Sequence, residues 1–301
     1  MSTVLGISGG LSVDHLVRAP VGARFDCLGG PGLYAALAAS LVPDVQVRLH
    51  CDLPRSTPQF ARVLRDAGID ITFAPQVEDV PRAWIVTSPE GRRIFSTSPP
   101  SGNELADTDA RELGDDRSAP NAPFLAGLDG VLYCSPSSLP DTPSSTLVAV
   151  DPDQRCVKAL GDDYWRAIAV PGGVLLPSRV QLAGIDPDPR RAARRLAATT
   201  GIRVVARLDA DGMLAVDTDG RAWTVTDRDV HVVDTTGAGD ASAGAITAAL
   251  GAGAELAEAA AYGVSAARIV LSAWGHAALS RADPLTAPGP KIRIVEGWES
   301  Q

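Results

Sequence analysis

The segment Val232-Val-Asp-Thr-Thr-Gly237-Ala-Gly239-Asp240-Ala-Ser-Ala-Gly244-Ala is where residue types and spacing are best suited to chemistry. An apolar strand end runs through a glycine turn into an alanine-rich helix start. The first amides of a helix have no partner inside it, and the helix dipole adds partial positive charge, so such a turn attracts an anion. Small residues at 237–239 let a ligand approach the backbone. Asp240 then sets a carboxylate beside the anion, which is repulsive unless it has a task. That task is general-base work, taking the proton of an alcohol whose oxygen attacks a phosphoryl group held by the amides. An ordinary acidic helix start produces the same letters without that chemistry. The segment has neither the G-K-[ST] of a Walker loop nor dinucleotide glycine spacing. Gly6-Ile-Ser-Gly9-Gly10 also lacks that spacing, which argues against a nicotinamide enzyme.

The elements that must position this turn belong to a chain of 301 residues, 45% hydrophobic, with 27 basic and 36 acidic side chains and a net charge of −9. That length suits one large core. The charge argues against a nucleic-acid partner, and no apolar run reaches the roughly 18 residues that a membrane span needs. The N-terminus reads as a first strand rather than a signal peptide, so a cytoplasmic location is expected. Cys27, Cys51, Cys134 and Cys156 form no C-x-x-C pair, and His15, His50, His231 and His276 have no metal-ligand spacing.

Strands are expected at 4–7 and 11–17, joined by a glycine turn. Gly29-Gly30-Pro31-Gly32-Leu33-Tyr34-Ala35-Ala36 opens a helix over 33–41. A strand at 45–49 and a helix at 58–67 follow, then short strands at 69–73, 83–87 and 93–97, the last two turning at Ser88-Pro-Glu-Gly91. Strands at 130–134, 147–150, 173–176 and 203–207 alternate with helical segments, and helices span 238–250 and 254–271. This alternation predicts a parallel sheet with helices on its faces, and the inserted strand cluster predicts a small flap. Stretches 98–102 and 118–123 read as surface loops. No repeat or linker divides residues 1–301.

Asp234-Thr-Thr-Gly237-Ala-Gly239-Asp240 with Gly244 resembles the C-terminal signature of the ribokinase (PfkB) family of carbohydrate kinases, and Gly29 to Ala36 is similar to that family's glycine motif. The resemblance implies a ribokinase-like three-layer α/β/α core with a mostly parallel central sheet and a small β lid, drawn from about 15–27 and 69–97. It implies ATP and Mg²⁺ as cofactors, Asp240 as catalytic base, and the backbone of Gly237, Ala238 and Gly239 as anion hole. Asp14, Gly29, Gly30 and Tyr34 would meet a sugar acceptor. Arg207, Asp209, Gly212, Gly275 and His276 would lie near the nucleotide. Asp234 would belong to a monovalent-cation loop, with K⁺ as activator, and lid strands in this family pair into homodimers. Asp151-Pro-Asp153-Gln-Arg155 is similar to the D-P-N-x-R stretch of some sugar kinases, and serves equally as a strand-end turn.

Three departures stand against the pattern. The family's N-x-x-E, which organises hydrated magnesium, is Ser178-Arg-Val-Gln181 here, without negative charge. Asp209 occupies the place of a nucleotide-side glycine. Tyr34 stands where members often carry Asn, and either packs or stacks on a ring. Two other readings therefore remain beside a carbohydrate kinase: a nucleoside kinase, to which Tyr34 or Trp84 would offer a ring face, and a silent ligand-binding relative that transfers nothing.

Overall fold

Side chains alternate across the central strands, and the two sets they form are buried in two separate cores. Leu132 and Ala149 belong to one, with Leu5, Leu37 and Ile246; Val131, Tyr133, Val148 and Val150 belong to the other, with Trp165 and Leu196. A sheet buried on both faces gives three layers. The computed structural model describes residues 2–88, 91–97, 119–286 and 292–297. Its strands are β1 (Thr3–Ser8), β2 (Ser12–Arg18), β3 (Gly22–Gly29), β4 (Val45–His50), β5 (Leu53–Pro54), β6 (Gln76–Val77), β7 (Arg82–Ser88), β8 (Gly91–Thr97), β9 (Gly130–Cys134), β10 (Leu147–Asp151), β11 (Val174–Leu175), β12 (Arg203–Arg207), β13 (Met213–Val216), β14 (Ala222–Asp227) and β15 (Ile292–Glu296). The helices are α1 (Pro31–Ala39), α2 (Gln59–Asp66), α3 (Ala122–Leu125), α4 (Gln154–Leu160), α5 (Asp162–Ala167), α6 (Arg179–Leu182), α7 (Pro189–Thr200), α8 (Ala238–Gly251) and α9 (Leu256–Leu271). No described helix is long and apolar enough to cross a membrane.

The main sheet runs β15-β14-β13-β12-β11-β10-β9-β1-β4. From β4 to β12 neighbouring strands are parallel; β13, β14 and β15 extend the sheet antiparallel. A second sheet, β3-β2-β7-β8, projects from the first and pairs β2 with β7 in parallel. Its inner row, set by the registers Asp14↔Ala83, Leu16↔Ile85 and Ile85↔Ile94, carries Asp14 among apolar neighbours.

Two sequence expectations need correction. Residues 69–73 form no strand: Asp70 makes an isolated bridge to Arg48, and its Oδ1 accepts the Thr72 amide (2.9 Å), closing a local turn that competes with strand pairing. The second sheet therefore takes nothing from 69–81, and Gln76–Val77 pairs with Leu53–Pro54 instead. The helix expected at 33–41 starts at Pro31, whose ring suits the first helical position, and is capped by Ser40. The antiparallel strands β13 to β15 were not expected from the sequence. Residues 89–90 of the 88–91 turn, residues 98–102 and residue 118 lie outside the described residues.

Helix α8 is buried from Ala241 to Leu250, and its alanines and glycine let α1 approach almost backbone to backbone. A Cβ built on Gly244 would fall 2.2 Å from the Ala35 carbonyl oxygen. Gly244→Ala is therefore expected to push α1 from α8 and lower stability by about 1–3 kcal/mol, measured by denaturant unfolding. An unchanged midpoint would mean that the two helices have room to spare.

Candidate active site

The C-terminal ends of the parallel strands, the start of α8 and the inner row of the second sheet enclose a cleft of about 1150 Å³. Its floor is the turn expected from the sequence. Gly237 caps α8 with φ 80° and ψ −4°, left-handed backbone that glycine takes without cost. A Cβ here would also fall 2.3 Å from the ring of Tyr34, so the aromatic face packs directly beneath the turn. The amides of Gly237 and Gly239 have no backbone acceptor among the described residues, whereas that of Ala238 reaches Thr235 O at 3.4 Å. Asp234 shapes the approach, accepting from Thr236 N (3.2 Å) and Thr236 Oγ1 (3.1 Å) on Oδ1. Arg18 of β2 donates to the carbonyls of Val232 and Val233, tying the second sheet to this loop.

Asp240 lies half-buried on the cleft floor, and Asp14 faces the same space from β2 at 2% exposure. Ser12 Oγ donates to Asp14 Oδ1 (2.8 Å). Gly29 stands against the other oxygen, where a Cβ would be 1.9 Å from Asp14 Oδ2. Burial raises the Asp14 carboxyl to about 6, opposed by the Ser12 hydrogen bond and the Arg92 charge. Asp240 is raised too, by burial and then by the Asp151 carboxylate, against Arg207 and Arg92. A carboxylate of heightened proton affinity is a better general base near neutrality.

Beside Asp240 and beyond it, other cleft carboxylates are committed. Asp151 pairs with Arg207 (2.5 Å), Asp153 with Arg155 (2.7 Å), and Asp209 with Arg179 (3.1 Å). Ser178 and Gln181 close on each other as a capping box: Ser178 N and Oγ donate to Gln181 Oε1 (2.6 and 3.0 Å), and Gln181 Nε2 donates to Pro152 O (2.5 Å). These side chains do not fit a divalent ion held directly by the protein. Among the described residues no three His, Cys, Asp or Glu cluster as a metal site. Asp234 differs: it is 3% exposed, and its Oδ2 is buried without a partner, a state that fits a cation.

The structure thus brings Asp14, Gly30, Tyr34, Arg207, Asp209, Gly237, Gly239 and Asp240 to one cleft. Gly29, Asp234 and Ala238 do not line it but adjoin residues that do: Gly29 stands against Asp14, Asp234 accepts from Thr236, and Ala238 lies between Gly237 and Gly239. Gly212, Gly275 and His276 do not line it: Gly212 sits against Val225 O of β14, and His276, half-buried, has Nδ1 3.3 Å from Leu28 O. Tyr34 is 1% exposed; its hydroxyl is buried without a partner, and the ring is committed to Gly237 rather than open for stacking. Trp84 lies on the opposite face of the second sheet, 4.7 Å from the ring of His15. Sequence reasoning missed Arg92, Ser12 and Asp52. Period-two alternation back from Ile94 was the available signal for Arg92, and the same alternation back from Asp14 was the signal for Ser12; Asp52 had none.

Comparison with known proteins agrees with the fold. Residues 180–282 match the family described as pfkB family carbohydrate kinase. Bifunctional protein HldE of Rhodospirillum rubrum is 36% identical over 122 residues, 38% of this chain and 25% of that protein, so the chain matches about a quarter of that relative's length. Among solved structures, ribokinase from Cryptococcus neoformans in complex with ADP aligns over 94% of this chain and 97% of its own, with TM-score 0.71 and 18% identity. Aminoimidazole riboside kinase from Salmonella enterica aligns over 94% and 97% (TM-score 0.68, 20% identity). Adenosine kinase from Sinorhizobium meliloti aligns over 95% and 97% (TM-score 0.68, 19% identity). The ribokinase/PfkB resemblance is borne out, over 180–282 in sequence and over nearly the whole chain in its ribokinase-like fold.

Asp14 holds its proton more tightly folded than unfolded, so it costs stability as pH rises from about 3.8 to about 6. Asp14→Asn keeps the acceptor for Ser12 and removes the charge. It is expected to exceed the parent in stability at pH 8 by up to about 3 kcal/mol, with the gain shrinking sharply by pH 4. Denaturant unfolding at both pH values measures this, and a variant no more stable at pH 8 contradicts the burial argument.

Proposed function

We propose that this protein, with its ribokinase-like fold, transfers a phosphoryl group from ATP to a hydroxyl of a small sugar or sugar derivative. The observation that carries the reading is the juxtaposition in one cleft of free helix-start amides at Gly237 and Gly239, a carboxylate at Asp240 and a second carboxylate at Asp14. Asp240 takes the hydroxyl proton, the acceptor oxygen forms its bond to phosphorus, and the bond to ADP breaks. Amides of the 237–239 turn stabilise the charge on the transferred group. Asp14, with Gly29 and Gly30 shaping its surroundings, orients the acceptor. Asp209 and Arg207 border the donor.

Asp234 would hold a monovalent ion such as K⁺ through its unpartnered oxygen, adding positive charge behind the anion turn. Mg²⁺ would come with the nucleotide, because Ser178 and Gln181 satisfy one another. That closed pair also favours a second reading, a silent ligand-binding relative that transfers no phosphate. A nucleoside acceptor is supported by its use among the structural neighbours, in the names adenosine kinase and aminoimidazole riboside kinase. Dimerisation through the edge-exposed strands of the second sheet and a cytoplasmic location complete the proposal.

Product-detecting mass spectrometry with MgATP and pooled sugars, sugar alcohols, aminosugars and nucleosides tests it. A new phosphorylated mass is expected with the parent, and Asp240→Asn is expected to lose about 10² to 10⁴ in turnover while remaining folded. A variant keeping more than about a tenth of the activity removes Asp240 as base. Nucleotide binding by calorimetry without product places the acceptor outside the pools, whereas neither product nor nucleotide binding favours the silent ligand-binding reading.

A further inference from the structure

Arg207 leaves the end of β12 only 9% exposed, and its guanidinium joins three pieces of structure. Nη1 and Nη2 fork onto Asp151 Oδ2 and Oδ1 (2.9 and 2.5 Å), and Nη1 also donates to Gly239 O (2.8 Å). Gly239 O accepts a second bond, from Ser242 Oγ (2.7 Å). Arg207 Nε is buried without a partner. A buried ion pair is costly to desolvate and seldom exceeds an apolar pair in stability, so retention of this one at the cleft floor calls for another reason. Planarity of the peptide supplies it: the carbonyl of Gly239 and the amide of Asp240 belong to one rigid plane. Gripping the carbonyl fixes the direction of the Asp240 amide and the starting point of its side chain.

We propose that Asp151 and Arg207 are the positioning pair of this site: Asp151 holds Arg207, Arg207 holds the Gly239 carbonyl, and through that peptide plane the pair sets how Asp240 meets the phosphoryl group and which charges lie behind it. The inference rests on Asp240 being the base. Among the described residues, five charged or titratable groups interact electrostatically with Asp240: Asp151 of β10, Arg207 of β12, Arg92 of β8 across the cleft, Asp14 of β2 and the phenol of Tyr34 in α1. Of the two in the pair, the Asp151 carboxylate raises the proton affinity of Asp240 and the Arg207 guanidinium lowers it. Removing one or the other must therefore move Asp240 in opposite directions, which simple loosening of the fold would not do.

The test follows the Asp240 carboxyl by ¹³C NMR across pH in the ligand-free protein, with Asp240→Asn assigning the signal, beside the pH profile of turnover. Arg207→Met is expected to raise the Asp240 midpoint by about one pH unit and Asp151→Asn to lower it by a similar amount. Arg207→Lys keeps the charge and the midpoint. It is expected to lose about tenfold or more in kcat with the acceptor KM unchanged, because an ammonium cannot fork to Asp151 while holding Gly239. The double variant Asp151→Asn with Arg207→Met leaves no unpaired buried charge, so it should fold and still turn over slowly. Midpoints that move together or stay fixed in the folded single variants overturn the proposal, as does full turnover in the double variant. If the parent transfers no phosphate to any acceptor, the base assignment of Asp240 fails on its own; the opposed NMR shifts still decide whether the pair sets the charge at this carboxyl.

Discussion

The buried ion pair between Asp151 and Arg207 connects everything that meets in the cleft. Asp151 ends β10 and Arg207 ends β12, two parallel strands separated by β11, and the guanidinium continues to the first turn of α8. Strand ends in such a sheet lie at one edge because every parallel crossover returns the chain to the same side. The pair converts that topological coincidence into a fixed distance between sheet and helix. Losing one partner would strand a charge in a region where it has little water, a cost typically of about 3–5 kcal/mol.

Five of the seven described aspartates that line the cleft fall into two groups. Asp151, Asp153 and Asp209 each have an arginine within salt-bridge distance, whereas Asp14 and Asp240 are held at raised proton affinity by burial. The first group builds the walls; the second remains able to exchange a proton. Arg92 moderates both raised carboxylates from across the cleft, so the second sheet contributes electrostatics as well as enclosure. Two non-glycine residues on the cleft wall, Ser135 and Asp209, have left-handed backbone with φ of 50° and 54°. Strain of that kind persists only where surrounding contacts over-determine it.

Small residues set the geometry of the other face. Tyr34 fills the space below Gly237, and α1 meets α8 at Gly244, so the glycine motif near residue 30 and the glycine motif near residue 237 are two sides of one packing arrangement. Their 200-residue separation in sequence hides that relation. The unpartnered Tyr34 hydroxyl shows that packing of the ring, rather than a hydrogen bond, decides the position of this side chain.

What the sequence determined by itself was local. The turn at 237–240, the following alanine helix and the parallel strands at 130–134, 147–150 and 203–207 were legible because glycine placement, helix-start chemistry and apolar periodicity act over a few residues. The antiparallel strands β13 to β15 and the turn at 69–73 were not, because short apolar runs and an Asp side chain that competes for the backbone leave strand pairing to distant partners. Tertiary structure alone decided what the candidate side chains do. It turned Arg207 toward Asp151 and Gly239, carried Gln181 onto the Pro152 carbonyl, gave Asp209 to Arg179, and kept Gly212, Gly275 and His276 off the cleft. The physical reason is that burial and ion pairing depend on which chain segments meet in space, and no spacing along the sequence encodes the position of a charge's partner 56 residues away.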